Sequence, residues 1–340
     1  MIKYLLPPVP YHKANLHAHC TVSDGIMTAE ELRDAYRAQG YSILAITDHS
    51  VMVEHQDLNR EDILLLTGVE LEIEDPDYIR FKNHTRERHF CLIGKNPYRQ
   101  WIPFRDPNPI PRSVAYEASN EIGSVPRGYS PEAFNELIAE CNRQGFLVLY
   151  CHPQWSMESY PDYQHLEGIW GMEYRNSDAL SLGYDENNSQ IFEDLLRMGK
   201  FVMPVCSDDL HRPTRHGFQV LGGCWNMIGC RELRYEEVIG AMERGDLYAS
   251  CGPEIHSLTW EKGILRLTSS EVVRIQVVSH VHWAGQVSAE PGKFLTGAEF
   301  DMTNWFELCR DHERGYLRLI LTGADGSYAV TRAYQMKELV

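Results

Sequence analysis

His17 and His19 stand two residues apart in Asn15-Leu16-His17-Ala18-His19, so a strand carrying them points both to one face. Asp24 follows in Ser23-Asp24-Gly25. A second apolar run ends in Asp48-His49, a third in Glu70, and a fifth in His152, while His89 opens the fourth. A later run closes in Ser207-Asp208-Asp209-Leu210-His211, again with an acid and a histidine two apart, and with Asp208 as the alternative acid. One histidine at a strand end is ordinarily a satisfied or surface side chain. Ligand-type residues at five strand ends mean more, because the C-terminal ends of parallel barrel strands converge on one mouth. His89 lies at the opposite end of its run from the others, with His84 as the alternative.

Neutral imidazole suits Zn, Fe and Mn, and carboxylates suit the harder cations, so this mixture points to a cluster of divalent transition-metal ions. A carboxylate such as Glu70 can bridge two of them. Paired ions about 3.5–4 Å apart would hold a hydroxide and clamp a phosphoryl group for in-line attack. No side-chain nucleophile is required. Ser207 and Cys206 sit in no GxSxG elbow and beside no evident base.

The elements that must position these residues follow from the hydrophobic period. Short apolar runs at 43–47, 63–69, 90–93, 146–150, 169–174 and 201–206, after a strand near residues 14–17, alternate with amphipathic helical stretches. Such runs suit strands buried on both faces. Thr28 with Glu31 forms a capping box, and Ser130-Pro131-Glu132 starts a helix that Gly145 stops. About seven such units predict an α/β fold, a (β/α)7 barrel over residues 1–252. Residues 253–340 read as short strands between turns, which predicts a small all-β, sandwich-like C-terminal domain. Its pair His280 and His282 has no further ligand nearby in sequence and reads as solvent-facing. The proline-rich segment 96–128 breaks the rhythm. Its Trp101, Phe104 and Tyr116 suggest a packed excursion that offers stacking faces near the site.

Composition bounds the partners. Against 32 Lys plus Arg stand 48 Asp plus Glu, a formal charge of −16. Such a field repels long polyanions, so a small phosphorylated substrate is expected rather than long nucleic acid. No run reaches the roughly 18 apolar residues of a membrane helix, and the start lacks the pattern of a signal peptide. Nine scattered cysteines without CxxC spacing read as reduced thiols in a cytoplasmic protein. Cys20, Cys151 and Cys206 flank candidate ligands but read as buried small hydrophobes. Oligomeric state is not legible.

The ordered motifs Asn15-Leu16-His17-Ala18-His19, Ser23-Asp24-Gly25, Ile46-Thr47-Asp48-His49, Gly68-Val69-Glu70, His152-Pro153 and Ser207-Asp208-Asp209-Leu210-His211 resemble those of the PHP (polymerase and histidinol phosphatase) family, from about residue 14 to 252. The resemblance implies a distorted (β/α)7 barrel that hydrolyses phosphoesters with up to three metal ions. It implies one ion on His17, His19, Glu70 and Asp209, a second on Glu70, His89 and His152, and a third on Asp24, His49 and His211. Asp24 stands where some members carry histidine. The D-x-H spacing of the family favours Asp209, and its ligand directly before an apolar run favours His89. Residues 235–255 also resemble uncharacterised members with a C-terminal β domain.

Phosphate also needs cationic donors, and guanidinium forks match it well. Arg175 follows the sixth strand, and Arg212 and Arg215 the seventh, so Arg175 joins Glu70 and Asp209 as an expected catalytic residue. The leading reading is a phosphoesterase acting on a small phosphomonoester or short nucleotide phosphodiester. Its competitors are a non-catalytic, metal-stabilised module whose β domain binds a partner, an exonuclease on longer strands, and an amidohydrolase. The last would need a lysine between the metals, where Glu70 stands.

Overall fold

The computed structural model describes residues 2–80, 85–282 and 285–340. The apolar runs become strands whose residues are buried throughout, as at Ile43–Ile46 and Phe146–Tyr150. Between them pack amphipathic helices. Ala29–Ala38 is capped reciprocally by Thr28 and Glu31, and Pro131–Arg143 starts at Ser130 and buries Phe134, Leu137, Ile138 and Cys141. The fold is mixed α/β.

The expected uniform set of parallel strands is modified. Tyr11–Asn15, Ile43–Ile46 and the first part of Leu64–Glu74 pair in parallel, as do Phe146–Tyr150, Gly171–Asn176 and Met203–Ser207. Glu87–Gly94 is antiparallel to both Leu64–Glu74 and Phe146–Tyr150. A parallel return needs a long crossover. Here the strand Leu64–Glu74 runs on past Glu70, and Glu87–Gly94 lies antiparallel beside that extension. This reversal places the start of Glu87–Gly94, with His89, at the end of the sheet where the parallel strands finish.

The sheet curls but is not closed by a continuous ladder. Trp225–Gly229 pairs with Tyr11–Asn15 and Leu247–Ser250. Its neighbour across the gap, Met203–Ser207, is held instead by the Asn226 side chain, which accepts from Cys206 N at 3.0 Å and donates to Cys206 O at 2.8 Å. Asn15 Oδ1 accepts from Asp208 N at 2.9 Å, and a single parallel bridge joins Ala18 to Leu210.

The C-terminal strands extend this same sheet. Leu247–Ser250 leads to Tyr328–Thr331, Tyr316–Thr322, Arg274–Ser279 and Gln286–Ser288. A second sheet orders Lys3–Leu6, Ile255–Glu261, Ile264–Val272 and Leu295–Asp301. Leu258, Trp260, Leu267, Val277, Leu319 and Leu321 share one apolar core in this region. The region also holds the short helices Thr303–Cys309 and Met336–Leu339, so it is not strand alone. Buried Arg318 pairs with Glu193 of the helix Ser189–Arg197, and Tyr316 Oη donates to Glu193 at 3.0 Å. Among the described residues no helix is long and apolar enough to cross a membrane.

Candidate metal centre

Glu70 is the hub. Its Oε2 lies 3.2 Å from His17 Nε2, 3.2 Å from His19 Nε2 and 3.2 Å from His49 Nδ1. Its Oε1 lies 2.9 Å from His89 Nδ1 and 3.0 Å from His152 Nε2. Asp209 Oδ1 reaches His17 Nε2 at 3.2 Å and His19 Nε2 at 3.0 Å. Asp24 and His211 complete the outer side, with 3.3 Å between Asp24 Oδ2 and His211 Nε2 and 3.8 Å between Asp24 Oδ1 and His49 Nε2. The nine candidate ligands therefore come together at one mouth. His17, His19, Glu70 and Asp209 form one compact donor set, and His19, Asp24, His49 and His211 a second. His89 belongs with them; His84 lies outside the described residues.

The backbone is bent to present these side chains. His152 and Asp209 adopt positive φ of 23° and 51°, and Ser50, directly after His49, has φ 60°. Non-glycine residues pay of order 1–3 kcal/mol for such conformations, which persist where neighbours hold them. Asp209 N is held by His17 O at 2.9 Å, Ser50 N by Glu70 O at 2.8 Å, and His152 N by Glu173 Oε2 at 2.9 Å. Asp208 faces away. It accepts from Tyr36 Oη, Gly222 N and Cys224 N, leaving Asp209 to the site. Asp48 also points outward and accepts from Cys20 N, Ser23 N and Ser23 Oγ, which fixes the turn carrying Asp24.

Glu173 is the residue that sequence reasoning missed. Fully buried, it accepts from His17 Nδ1 at 2.8 Å and from Asn176 Nδ2 at 2.8 Å, as well as from His152 N. It thereby turns His17 Nε2 toward Glu70 and Asp209. An acid inside an otherwise apolar strand was the available signal, since a buried charge is costly unless it is engaged. Glu72, paired with His49, was likewise unforeseen.

The donor set fits cations. His19 Nδ1 and His89 Nε2 are buried and have no hydrogen-bond partner, an arrangement that costs free energy unless a proton or cation is engaged. Burial disfavours charged imidazole, but Asp209, Glu70 and Glu173 outweigh it and hold His17 well above the ordinary range. Burial likewise opposes charge on His49 and His211, yet nearby carboxylates lift both to about 9. The same imidazoles overcome burial to hold Glu70 and Asp209 well below the usual carboxylate range. The pocket thus favours positive charge on its imidazoles and keeps its carboxylates ionised, so protons and divalent cations compete for it.

Arg175 does not join the site. Opposite it the strand register shifts between Val205 and Cys206, and this bulge parts Arg175 from the face that Glu173 and Asn176 share. Its guanidinium donates to Asn187 Oδ1 at 3.0 Å instead. Among the described residues, the arginines that line the cavity of about 890 Å³ over the cluster are Arg80, Arg127 and Arg215. Arg127 Nε is buried without a partner, and Arg215 pairs with Asp178. The aromatic residues of segment 96–128 are also elsewhere. Trp101 is buried and stacks on Phe146 at 5.7 Å, Phe104 packs on the core, and Tyr116 lies outside the cavity lining. The short pairing of Trp101–Ile102 with Glu121–Ile122 draws that tryptophan inward. The segment contributes Asp106, Asn108 and Arg127 to the wall. His280 meets His312 and Trp305, far in sequence, and takes no part.

Residues 15–175 match the family model of the PHP domain. This segment is a PHP domain. It carries His17 through His152 and Glu173, while Asp209 and His211 reach the cluster from beyond the matched stretch. No curated protein matches the chain. Among solved structures, a two-domain protein from Bacteroides vulgatus, described as containing a predicted PHP-like metal-dependent phosphoesterase, is 14% identical with a TM-score of 0.44. The similarity spans 98% of each chain. A structure described as a putative metal-dependent phosphoesterase from Bifidobacterium adolescentis is 17% identical, with a TM-score of 0.39, over 60% of this chain and 89% of that one. An amidohydrolase from Chromobacterium violaceum is 18% identical, with a TM-score of 0.36, over 59% and 88%.

Proposed function

We propose that this chain is a metal-dependent phosphoesterase acting on a small phosphomonoester or a short phosphodiester. The observation that carries the reading is the Glu70 carboxylate, within 3.2 Å of five imidazoles that arrive from four separate strand ends. His17, His19, Glu70 and Asp209 would hold one ion, Glu70, His89 and His152 a second, and Asp24, His49 and His211 a third. Zn, Mn or Fe bound there would supply Lewis-acid charge against the charge that develops on a phosphoryl group, and would acidify water.

The chain's own residues do the rest. Glu173 fixes the His17 ring, and Asp209, tied by Asn176 Nδ2 at 3.2 Å, is kept on the imidazole side. Arg127, with an unpartnered buried Nε, and Arg215 replace Arg175 as the donors that steer a phosphate into the cavity. Within this reading residues 1–252 form the catalytic unit and residues 253–340 brace it. All nine cysteines are free, in keeping with a reducing, cytoplasmic setting. The test is a panel of a sugar phosphate, a 5′-mononucleotide, a dinucleotide and a long oligonucleotide, run at fixed metal and salt. Turnover on the small esters supports the reading. Inactivity of metal-loaded protein on every phosphoester overturns it, and a clear preference for the long strand makes it an exonuclease.

A further inference from the structure

The cavity lining mixes two kinds of side chain. Part of it is polar and built from Glu72, Glu74, Glu87, Arg80, Asp106 and Arg127. The lining also holds Trp155, Met157, Leu182 and Tyr184, from two separate loops that Glu186 joins by accepting from Gln154 N and Trp155 N, with the Asp178–Arg215 ion pair nearby. Met157, Leu182 and Tyr184 are 47%, 37% and 39% exposed, so three large apolar side chains of the lining stand partly open to water. Apolar exposure within one cavity marks a binding surface more often than chance. Trp155 stands at the cluster itself. The Trp155 ring centroid lies 5.1 Å from that of His89 and 4.9 Å from that of His152.

The backbone that carries these side chains is held in place. Glu186 accepts from Gln154 N at 3.1 Å and Trp155 N at 3.0 Å. Met157 is pinned at φ 56° by its N–H to Gln154 O, and Glu158 next to it is locked to Arg88. Tyr184 N donates to Ala179 O at 3.2 Å, fixing the loop after the helix Ser177–Ser181. Two aromatic and two aliphatic side chains in one lining, with no charge among the four, select flat apolar shape rather than hydrogen-bond pattern.

We infer that these side chains seat a planar aromatic group on the leaving-group side of the phosphoester, so that the substrate class is aryl- or nucleobase-bearing esters rather than bare sugar phosphates. The inference rests on the phosphoesterase reading. Metal-loaded protein is assayed with two matched pairs, adenosine 5′-phosphate against ribose 5-phosphate and benzyl phosphate against ethyl phosphate. Within each pair the alcohol released is of similar reactivity. We expect kcat/KM to favour the aromatic member roughly tenfold or more in at least one pair, and the pair that shows it separates nucleobase from simple aryl recognition. Tyr184→Ala and Leu182→Ala, at part-exposed positions, should each cut that ratio at least threefold. Equal rates within both pairs, or ratios untouched in both variants, overturn the inference while leaving the phosphoesterase reading intact. Inactivity on all four esters counts against that reading instead. Calorimetric binding of the same four compounds then decides this one, and equal affinity within each pair overturns it.

Discussion

Glu173→Gln should weaken metal binding while leaving the chain folded. The carboxylate accepts three hydrogen bonds, from His17 Nδ1 through Oε1 and from His152 N and Asn176 Nδ2 through Oε2. An amide offers one oxygen and one NH2. If the NH2 faces His17, the imidazole must move its proton to Nε2, the nitrogen that otherwise points at Glu70 and Asp209. If it faces the other way, His152 N and Asn176 Nδ2 both meet a donor, inside a site with no exposed surface. Unmade buried hydrogen bonds cost about 1–3 kcal/mol each. Partners that orient metal-binding histidines are ordinarily worth roughly 10–100-fold in affinity. Competition with a chromophoric zinc chelator at pH 7.5 reads the change directly, and circular dichroism checks the fold. A folded Glu173→Gln protein that binds zinc within twofold of the parent would refute the reasoning.

Glu70→Ala and Asp209→Ala should each abolish phosphoester turnover in a protein that still unfolds cooperatively; near-parental turnover in both would remove these carboxylates from the chemistry. Glu158→Ala leaves the Arg88 guanidinium buried without its two short contacts and should cost about 3–5 kcal/mol in urea unfolding, against which a loss below 1 kcal/mol would count. Glu186 provides a pH signature. Burial raises its carboxyl to about 7 from 4.5, so between those values the folded state holds a proton that the unfolded state has released. Stability from this group is full below about 4.5 and is lost as pH rises to about 7, by about 3 kcal/mol at most. Glu186→Gln should flatten that slope, and an unchanged pH profile of chemical unfolding would contradict it.

That these nine residues gather was legible because ligand types recur in and beside the apolar runs, although period places strand ends only to within a few residues, and Leu64–Glu74 runs on past Glu70. His89 was the awkward member, at the wrong end of its run. Only the reversed direction of Glu87–Gly94 reconciles it, and strand direction is not written in an apolar run. Arg175 went wrong for a related reason. A bulge opposite Val205 and Cys206 changes which face a residue takes, and alternation alone does not foresee it. The C-terminal strands were legible as strands. That Leu247–Ser250 continues the first sheet into them, and that Lys3–Leu6 crosses to the second, depends on pairings distant in sequence. Trp101, Phe104 and Tyr116 were expected near the site and lie outside the cavity lining, because side-chain type says what could stack but not what faces the cavity.

The central claim is that the cluster around Glu70 holds the ions on which hydrolysis depends. Protein stripped with chelator, then titrated with Zn, Mn or Fe(II), is assayed for bound metal by elemental analysis and for turnover of a small phosphoester at each step. The account predicts uptake of two or three equivalents per chain, release of protons on binding, turnover that rises with occupancy, and loss of at least one equivalent in Glu70→Gln. No uptake by folded protein, or turnover that persists unchanged in the stripped protein, would contradict it.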